Sequence, residues 1–377
     1  MASIVVLHFS PLELYPPIQN LLGLLEKAGQ NVNVRVITTR VSGVDIPSFT
    51  IDSDRIKIVR YGKSGRISNS FFRYWNYLKF HLGALFDLIT YKPGRVLYFE
   101  TLSSLPVVVY KYLFGSFAKV YIHYHEYTSP TEYQAVKFMG FLHRFEKKIL
   151  TTAAWVSHTN SYRLKLFEED LLPLQIGNAF VMPNYPPSSW YSPARPEVER
   201  PLRIVYAGAL SLSSMYTKEF AQWVIQQEGN VRWDIYAYNI TPETKLYLRE
   251  LNTNFIQVKA GVSYNELPEI LKHYQVGVIL YQGVIPNHIY SVSNKLYEYL
   301  VCGLAVWFPS EIVGSFEYVT ENTYPEVIKL DFTMLTDYKV EALMNRATSS
   351  LKEFDFSCEK CLAPLVKKLI DQSEVSF

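Results

Sequence analysis

The stretch YSVSNKLYEYLVCGLAVWFP, residues Tyr290–Pro309, carries the strongest structural signal in the sequence. Ser293 is a good helix N-cap, and Gly303 ends the helical pattern that runs through residues 294–301. The segment Ala305–Phe308 then has the apolar and aromatic composition of a buried strand. A short helix that leads directly into a buried strand is typical of an open parallel α/β sheet.

The same helix carries polar side chains on a face of their own. In an open parallel sheet, helix N-termini beside the carboxyl ends of strands face the ligand crevice and offer free N–H groups to phosphate. We expect Ser293, Asn294 and Lys295 to form such a terminus, and Glu298 could accept from two ribose hydroxyls. The alternative is that Lys295 and Glu298 form an exposed helical ion pair.

Outward from this stretch, short apolar runs alternate with helical patterns along the whole chain. The second half has predicted strands Arg203–Tyr206, Trp233–Tyr238, Phe255–Val258, Val276–Tyr281 and Ala305–Phe308, and helices beginning near Thr217, Pro242, Tyr264, Ser293 and Val313. The first half has predicted strands Ile4–Phe9, Val32–Thr38, Arg55–Arg60, Arg95–Phe99, Lys119–Tyr124 and Ala154–His158, and helices Pro17–Ala28, Ser70–Ile89, Leu105–Phe114 and Tyr133–Thr151. The predicted fold class is therefore α/β, with two tandem Rossmann-like, doubly wound domains.

A proline-rich stretch separates the two halves. Met182–Pro201 holds six prolines and no periodicity, so we expect a semi-rigid connector. The predicted organisation is a first domain at 1–185, a linker at 186–200, a second domain at 201–355 and a C-terminal segment at 356–377. A helix over Cys358–Ser373 is expected in that segment, packing back across the junction.

Composition indicates well-filled cores and an uneven charge. Of the 377 residues, 49% are hydrophobic and 19% charged, so no part has the composition of a disordered chain. Residues 1–197 carry 21 Lys and Arg against 14 Asp and Glu, whereas the remainder carries 16 against 21. A basic half favours an anionic membrane surface or a phosphate-bearing acceptor as partner. No nucleic acid is expected, because no recognised motif accompanies the charge.

Cysteine usage and the chain start point to the cytoplasm. The three cysteines, Cys302, Cys358 and Cys361, do not make a disulfide framework, which favours a reducing compartment. The first residues lack the basic region of a signal peptide, and no run of about 18 apolar residues is present. We therefore expect a cytoplasmic protein, peripheral at the inner face of the membrane if it binds one.

The segment Arg60–Arg95 is both basic and aromatic. Its basic residues are Arg60, Lys63, Arg66, Arg73, Lys79, Lys92 and Arg95, interleaved with Phe71, Phe72, Tyr74, Trp75, Tyr77 and Phe80. A helix of this composition is typical of a membrane-surface element. The alternative is a solvated helix whose aromatic residues belong to the core.

A second polar cluster follows a strand of the first half, in KVYIHYHEYTSP, Lys119–Pro130. His123 and His125 alternate onto one face, and Glu126 follows. An imidazole can hydrogen-bond a sugar hydroxyl or a developing charge without metal. The alternatives are structural histidines and, less favoured for want of a second ligand cluster, a metal site.

Four segments, in order, resemble one known group of enzymes. They are IVYAGALS after the linker, WDIYAYN, GVSYNELPEILKHYQVGVILY and NKLYEYLVCGLAVW. Together they resemble the nucleotide-sugar domain of GT-B glycosyltransferases, in particular the retaining group called family 4. The resemblance implies two Rossmann-like domains with a cleft between them. It also implies sugar transfer from a nucleotide-sugar donor to a saccharide or lipid-linked acceptor, in polysaccharide or glycolipid biosynthesis.

The resemblance also assigns roles to residues. It implies that Glu298 holds the donor ribose, that Gly208 and Ser211 lie near the diphosphate, and that Gly261 and Val262 line the base pocket. Lys218 matches a basic residue of the family near the diphosphate, and His125 with Glu126 matches its catalytic His–acid pair. For Gly208 the alternative is a plain turn at a strand end. No metal or other cofactor is expected, because no acidic motif of the DxD type lies at a fitting place.

The sequence departs from the family pattern at three places. Tyr290 stands where members often carry a Glu near the donor sugar, and Ala209 stands where many carry an Arg. The glycine pair after the first strand is replaced by Phe9–Pro11. These departures leave two alternatives open: a catalytically silent sugar-nucleotide-binding or scaffold subunit, and a GT-B-fold sugar-nucleotide epimerase.

Overall fold

The chain forms two compact units, each with its own sheet. The computed structural model describes residues 2–28, 32–43, 46–65, 67, 69–115, 118–192, 200–344 and 350–371. One unit consists of Met1–Asn184 together with Cys358–Phe377, and the other is Tyr185–Ser357. The C-terminal helix thus belongs to the first unit, and the division falls inside the proline-rich stretch.

The first unit is built on a seven-stranded parallel sheet with strand order β3-β2-β1-β4-β5-β6-β7. Numbered in chain order, strands β1–β7 are Ala2–His8, Val32–Ser42, Ile56–Gly65, Arg95–Phe99, Lys119–Tyr124, Trp155–His158 and Ala179–Val181. Helices α1–α6 are Pro16–Lys27, Ser70–Tyr91, Ser104–Phe114, Pro130–Ala135, Lys137–Leu150 and Ser161–Leu171, and the C-terminal helix, α13, is Cys358–Ile370.

The central strand β1 shows why helices cover both faces of this sheet. Val5 and Leu7 join the core that α2 and α3 close, whereas Ile4 and Val6 join the core that α1 and α13 close. Because side chains alternate across a strand, an all-apolar strand needs apolar cover on each side.

The second unit repeats this design with a six-stranded sheet in the order β10-β9-β8-β11-β12-β14. Strands β8–β15 are Leu202–Ala207, Val231–Ala237, Ile256–Ala260, Val276–Val278, Ala305–Pro309, Thr323–Tyr324, Val327–Leu330 and Ser350–Leu351. Helices α7–α12 are Thr217–Gln226, Pro242–Glu250, Leu267–Leu271, Pro286–Ile289, Asn294–Val301 and Val340–Met344. Strands β13 and β15 form a separate parallel pair.

Both sheets confirm the predicted pair of doubly wound domains. All their described pairings are parallel, and the strand order reverses between β1 and β4 in one sheet and between β8 and β11 in the other. Ligands of such sheets bind outside the carboxyl ends of the strands at the point of reversal. Each unit therefore has one edge at which functional side chains are expected.

Several predicted elements differ from the structure. The predicted helix Tyr133–Thr151 is two helices, α4 and α5, because Val136 between them is extended and a capping box at Ser129 starts α4. The helix predicted to begin near Val313 is a 3-10 turn, Val313–Tyr318. The sequence analysis did not predict strands β7 and β14, because their apolar runs are short.

Most of the aromatic residues that the sequence analysis named on helix α2 are exposed to solvent. Phe71, Phe72, Tyr74 and Trp75 are 71%, 57%, 55% and 46% exposed, so they are not core residues. Phe80 is fully buried. The solvated-helix alternative would place all of the aromatic residues of α2 in the core, as Phe80 is. Within the part of the chain that the structure describes, no helix combines the length and apolar character needed to cross a bilayer.

The basic residues of the segment Arg60–Arg95 fall into two groups. Arg60 forms an ion pair with Glu13, its Nη2 lying 2.9 Å from Oε1, and Arg95 is buried and donates to the carbonyl of Asp371. Neither is available to a membrane surface, which corrects the prediction for these two. The side chains that are exposed are those of Lys63, Arg73, Lys79 and Lys92. Arg66 lies outside the described residues.

Candidate functional site

In the second unit, a lysine and a glycine meet where the strand order reverses. Gly208 follows β8 with a φ of +140°, and a Cβ added there would lie 2.9 Å from Nζ of Lys295. A side chain at 208 would therefore displace the ammonium group. The Nζ of Lys295 donates to Oη of Tyr281 at 3.1 Å and lies 5.4 Å from the ring centre of Tyr206. We call Gly208, Tyr281, Lys295 and Glu298 the lysine–glycine edge.

The helix N-terminus at this edge is only partly capped. Ser293 occupies the N-cap position of α11, as predicted, but its side chain makes no capping hydrogen bond. Asn294 and Lys295 form the first turn. The backbone N–H groups of a first turn have no acceptor within the helix, and here the Ser293 hydroxyl does not accept from them. They can therefore donate to a bound anion.

Glu298 lies one turn further along α11 and is 9% exposed. Its carboxylate makes no hydrogen bond and no close ion pair with the residues that the structure describes. Burial raises its pKa to about 7, and the charge of Lys295 offsets part of that rise. Burial lowers the pKa of Lys295, but Tyr281 and Glu298 outweigh this and raise it. The interpretation of the two residues as an exposed ion pair is therefore wrong.

The other predicted diphosphate residues follow β8. The Ser211 hydroxyl lies 2.9 Å from that of Ser213, and the Ser211 carbonyl accepts from the Thr217 hydroxyl at 2.8 Å. These contacts join the loop to the start of α7. Lys218, in the first turn of α7, is exposed, and its Nζ lies 5.9 Å from the ring centre of Tyr247 on α8.

The predicted base-pocket residues follow β10. A Cβ added at Gly261 would lie 2.5 Å from the ring of Tyr238, so only glycine lets this ring lie against the backbone. Val262 is half-buried and packs against the core that α9 and α11 close. An aromatic ring, partly exposed, thus stands beside the predicted pair.

In the first unit, the corresponding edge centres on Glu100, which follows β4. Its φ of 64° and ψ of 150° lie in a region that is almost restricted to glycine, a strain that clusters at functional sites. Its Oε1 accepts from the backbone N–H groups of His125, at 2.6 Å, and Glu126, at 3.2 Å. Burial and the charge of Glu126 raise the pKa of Glu100 to about 8.

His125 is held on several sides. Its ring stacks on Phe99 with centroids 5.2 Å apart, and its Nδ1 lies 3.3 Å from Oδ1 of Asn184. Its carbonyl accepts from Nη1 of Arg163 at 2.6 Å. Nε2 is buried and has no partner among the described residues. Burial lowers the pKa of His125 to about 4, so the ring is neutral at pH 7.

The remaining histidines at this edge are packed more deeply. His123 is fully buried, and its Nδ1 lies 2.8 Å from the Ser157 hydroxyl. The rings of His8 and His123 lie 6.2 and 4.7 Å from that of His125. Among the described residues, no group of three or more His, Cys, Asp or Glu is placed to hold a metal ion. We call His8, Glu100, His123, His125 and Glu126 the histidine edge.

Glu100 is the residue that sequence analysis missed. Its one local signal is an acidic side chain placed directly after the fully buried strand Arg95–Phe99. Its partners, His125 and Glu126, lie 25 and 26 residues further along the chain, so no spacing rule links them.

The comparisons with known proteins identify the fold. No family model and no curated protein matches this chain. Its structure is similar to that of a sucrose-phosphate synthase from Thermosynechococcus elongatus, with a TM-score of 0.66 and 14% identity over 98% of this chain and 95% of that one. It is also similar to the lipopolysaccharide outer core galactosyltransferase WaaB, with a TM-score of 0.61 and 13% identity over 97% and 99%.

A third similar structure is that of a UDP-GlcNAc 2-epimerase from Methanocaldococcus jannaschii, with a TM-score of 0.55 and 12% identity over 97% of this chain and 99% of that one. Likeness at such low identity establishes architecture, not activity. The matches extend over nearly the whole of each chain, and both sheets have the parallel, doubly wound order. The chain therefore has the GT-B fold.

Proposed function

We propose that this protein is a glycosyltransferase that moves a sugar from a nucleoside-diphosphate sugar to a hydroxyl group of an acceptor. The observation that carries the proposal is the lysine–glycine edge. There a charged Lys295 reaches the backbone at Gly208, and the buried Glu298 feels the charge of Lys295 but makes no hydrogen bond to a described residue. A cation beside a helix N-terminus suits a diphosphate, and a carboxylate one turn away suits a ribose.

The donor residues divide by the group that they bind. Lys295 neutralises the charge that develops on the leaving diphosphate, and Glu298 accepts hydrogen bonds from the ribose hydroxyls. The diphosphate set also includes Gly208, Ser211, Lys218, Ser293 and Asn294, and the base set is Gly261 and Val262.

The histidine edge supplies the catalytic residues, His125 and Glu126. In the reaction the bond from the anomeric carbon to the diphosphate oxygen breaks, a bond to the acceptor oxygen forms, and the hydroxyl proton is released. A neutral imidazole can hydrogen-bond a sugar hydroxyl. We place the enzyme among hexosyltransferases that retain anomeric configuration, in accord with its resemblance to family 4.

The acceptor is a saccharide or lipid-linked sugar of polysaccharide or glycolipid biosynthesis. Support comes from the net positive charge of residues 1–197 and from the exposed aromatic residues of α2. The name of WaaB, a lipopolysaccharide galactosyltransferase, agrees with such an acceptor. The enzyme then works in the cytoplasm, peripherally at the inner face of the membrane.

Metal independence belongs to the proposal, because Lys295 provides the charge that a metal ion supplies in other transferases. Activity should persist in EDTA. A strict requirement for Mn²⁺ or Mg²⁺ would contradict this assignment.

The first experiment measures thermal unfolding with UDP, GDP and ADP. A ligand at about 100 times its Kd stabilises the folded state by about 2.7 kcal/mol. We expect one diphosphate to raise the Tm of the natural protein and to have little effect on Glu298→Ala. If none of the three shifts the Tm, the proposed donor site is wrong.

The second experiment incubates the protein with the isotope-labelled sugar nucleotide of the base so identified. Labelled sugar in an added acceptor, or slow release as free sugar, supports transfer. Conversion of the donor to its epimer would instead assign an epimerase. Binding without any change of the donor, over a panel of acceptors, would assign a silent subunit.

A further inference from the structure

The segment between β11 and α11 carries a histidine, His288, at the lysine–glycine edge. His288 lies in α10, the short helix Pro286–Ile289 that follows β11. Its ring centre lies 5.7 Å from that of Tyr281. The Nζ of Lys295 lies 5.3 Å from the same Tyr281 ring centre. His288 is therefore close to the cation that the proposed function assigns to the diphosphate.

One ring nitrogen of His288 is bound to the backbone and the other is accessible. Its Nδ1 lies 3.1 Å from the carbonyl oxygen of Gln282. Because a carbonyl oxygen can only accept, Nδ1 carries a proton, and in the neutral ring the lone pair is on Nε2. Nε2 makes no hydrogen bond to a described residue, and it is not buried. The side chain thus offers an accessible hydrogen-bond acceptor at this edge.

Backbone contacts on both sides hold this histidine in place. The N–H of Gln282 donates to the carbonyl of Ser214 at 3.0 Å, and the N–H of His288 donates to that of Ile285 at 2.9 Å. The hydroxyl of Ser291 donates to the carbonyl of His288 at 2.8 Å. A group whose position is set before binding loses little freedom when a ligand arrives. His288 is therefore suited to recognise one atom of a ligand at a defined position.

The order of the strands indicates which part of a donor would reach His288. In the sheet of the second unit, β10 is followed by β9, β8, β11 and β12. The proposed base pocket follows β10, and the proposed diphosphate residues Gly208 and Ser211 follow β8. Neighbouring strands are only about 4.8 Å apart, so a donor that extends along this edge from base to diphosphate carries its sugar on to the end of β11. His288 follows that strand.

We propose that Nε2 of His288 accepts a hydrogen bond from a hydroxyl group of the donor sugar. The inference rests on the proposed sugar transfer and adds a residue of the second unit that recognises the sugar itself. The contact orients the sugar and involves no proton transfer. An acceptor at this position distinguishes a hydroxyl from a hydrogen or a fluorine on the same carbon, because neither of these can donate.

The contact is measured by comparing a sugar nucleotide with its nucleoside diphosphate on the full chain. Calorimetry would test UDP-glucose, UDP-galactose, UDP-N-acetylglucosamine, GDP-mannose and ADP-glucose, together with UDP, GDP and ADP. His288→Asn keeps an N–H donor for the Gln282 carbonyl but does not reach the position of Nε2. It should raise the Kd of the sugar nucleotide that binds best by roughly two- to tenfold, the worth of one neutral hydrogen bond. The Kd of the matching diphosphate should stay the same.

Two matched variants locate the effect. His288→Gln places an amide oxygen near the position of Nε2 and should recover most of the lost affinity. His273 is exposed and precedes β11, at the opposite end of the same strand, so His273→Asn should bind both ligands as the natural protein does. Equal losses for diphosphate and sugar nucleotide in His288→Asn would show that His288 only holds its segment in place. Such equal losses, or no loss for either ligand, would overturn the proposal.

Deoxyfluoro analogues of the same sugar nucleotide identify the hydroxyl. Fluorine in place of the contacted hydroxyl should weaken binding to the natural protein by about the factor that His288→Asn costs. The same analogue should bind His288→Asn no more weakly than the unmodified sugar nucleotide does, because the contact is already absent. Such non-additivity is the signature of a direct interaction between two groups. Additive losses for every analogue would overturn the proposal.

The remaining outcomes separate this inference from the proposed function. A lower kcat in His288→Asn with an unchanged Kd for the sugar nucleotide would assign His288 to the acceptor, which keeps the transferase and overturns the sugar contact. A selective loss of sugar-nucleotide affinity in a protein that epimerises its donor would keep the contact and overturn the transferase. Binding of a diphosphate but of no sugar nucleotide would overturn the contact. A natural protein that binds neither would overturn both.

Discussion

The two units share one strand order but hold their functional residues differently. At the lysine–glycine edge a charged Lys295 and a carboxylate, Glu298, sit one turn apart on a single helix, close to a bare backbone position. At the histidine edge, side chains from the ends of different strands converge, and Glu100 adopts a strained backbone conformation.

The proposed role of each edge accounts for this difference. A positive charge stabilises a diphosphate wherever it is placed close by, so one helix can provide it. Groups that act on a sugar need defined positions and protonation states, which burial and cross-strand hydrogen bonds impose. We therefore expect single changes at the lysine–glycine edge to alter ligand energetics, and changes at the histidine edge to alter stability with pH as well.

The largest effect is expected at Lys295. Lys295→Met removes the cation that we propose faces the developing diphosphate charge, and it should lower kcat/KM about 100- to 1000-fold, as for loss of a preorganised donor in other enzymes. Lys218→Met is the matched control. Because Lys218 is exposed and lies over Tyr247, its loss should cost far less. Similar losses in steady-state kinetics of both variants would show that no single cation dominates this edge.

The next effect is expected at Glu298. Glu298→Ala should weaken binding or turnover of the nucleotide sugar by about 1.5–3 kcal/mol, the scale of hydrogen bonds to a charged group. If the ionised form binds ribose, a pKa of about 7 predicts that affinity rises with pH, by roughly tenfold between pH 6 and 8. Glu298→Gln should lose this rise. Calorimetry with the intact nucleotide sugar measures both, and a natural protein with a flat pH profile would contradict the role of Glu298.

The charge contrast between the halves of the chain can be tested on vesicles. Arg73→Glu with Lys79→Glu should weaken binding to anionic vesicles by about 1 kcal/mol or more for each residue, and salt should weaken it further. The matched control is Lys245→Glu with Arg249→Glu, on an exposed face of α8 in the second unit. A flotation assay distinguishes the two pairs. Equal binding to neutral and anionic vesicles would indicate that charge does not direct the first unit to a membrane.

The effect expected of Glu100 is on stability and not on ligand binding. Its pKa of about 8 in the folded protein exceeds the value of about 4.3 for an unfolded chain, so the folded state holds this proton more tightly. The free energy of unfolding should therefore fall as pH rises through this interval by several kcal/mol, because each pKa unit of difference is worth about 1.4 kcal/mol. Glu100→Gln should lose that component of the pH dependence.

Denaturant titrations at pH 5, 7 and 9 measure this component. Glu126→Gln is the companion variant, because removal of the neighbouring charge lowers the pKa of Glu100 and moves the fall to lower pH. A Glu100→Gln protein whose stability follows that of the natural protein at every pH would contradict the assignment.

Most of the elements and the class of fold could be predicted from the sequence. Strands Arg95–Phe99 and Lys119–Tyr124 have the bounds predicted from composition alone, since each is apolar on both faces. The sequence also predicts that Lys295 and Glu298 lie on the same face of a helix, because residues three positions apart in a helix are neighbours. Such signals are local, and contiguous residues encode them.

Contacts between segments that lie far apart in the sequence could not be predicted in this way. Lys295 approaches Gly208, and Glu100 accepts hydrogen bonds from the backbone N–H groups of His125 and Glu126. Each of these contacts joins segments far apart in the sequence. Their contacts depend on strand order and on how helices pack over the sheet, which no spacing along the chain reports. The same holds for the exposure of Phe71 and Trp75, since periodicity gives a helix two faces and only packing decides which one is covered.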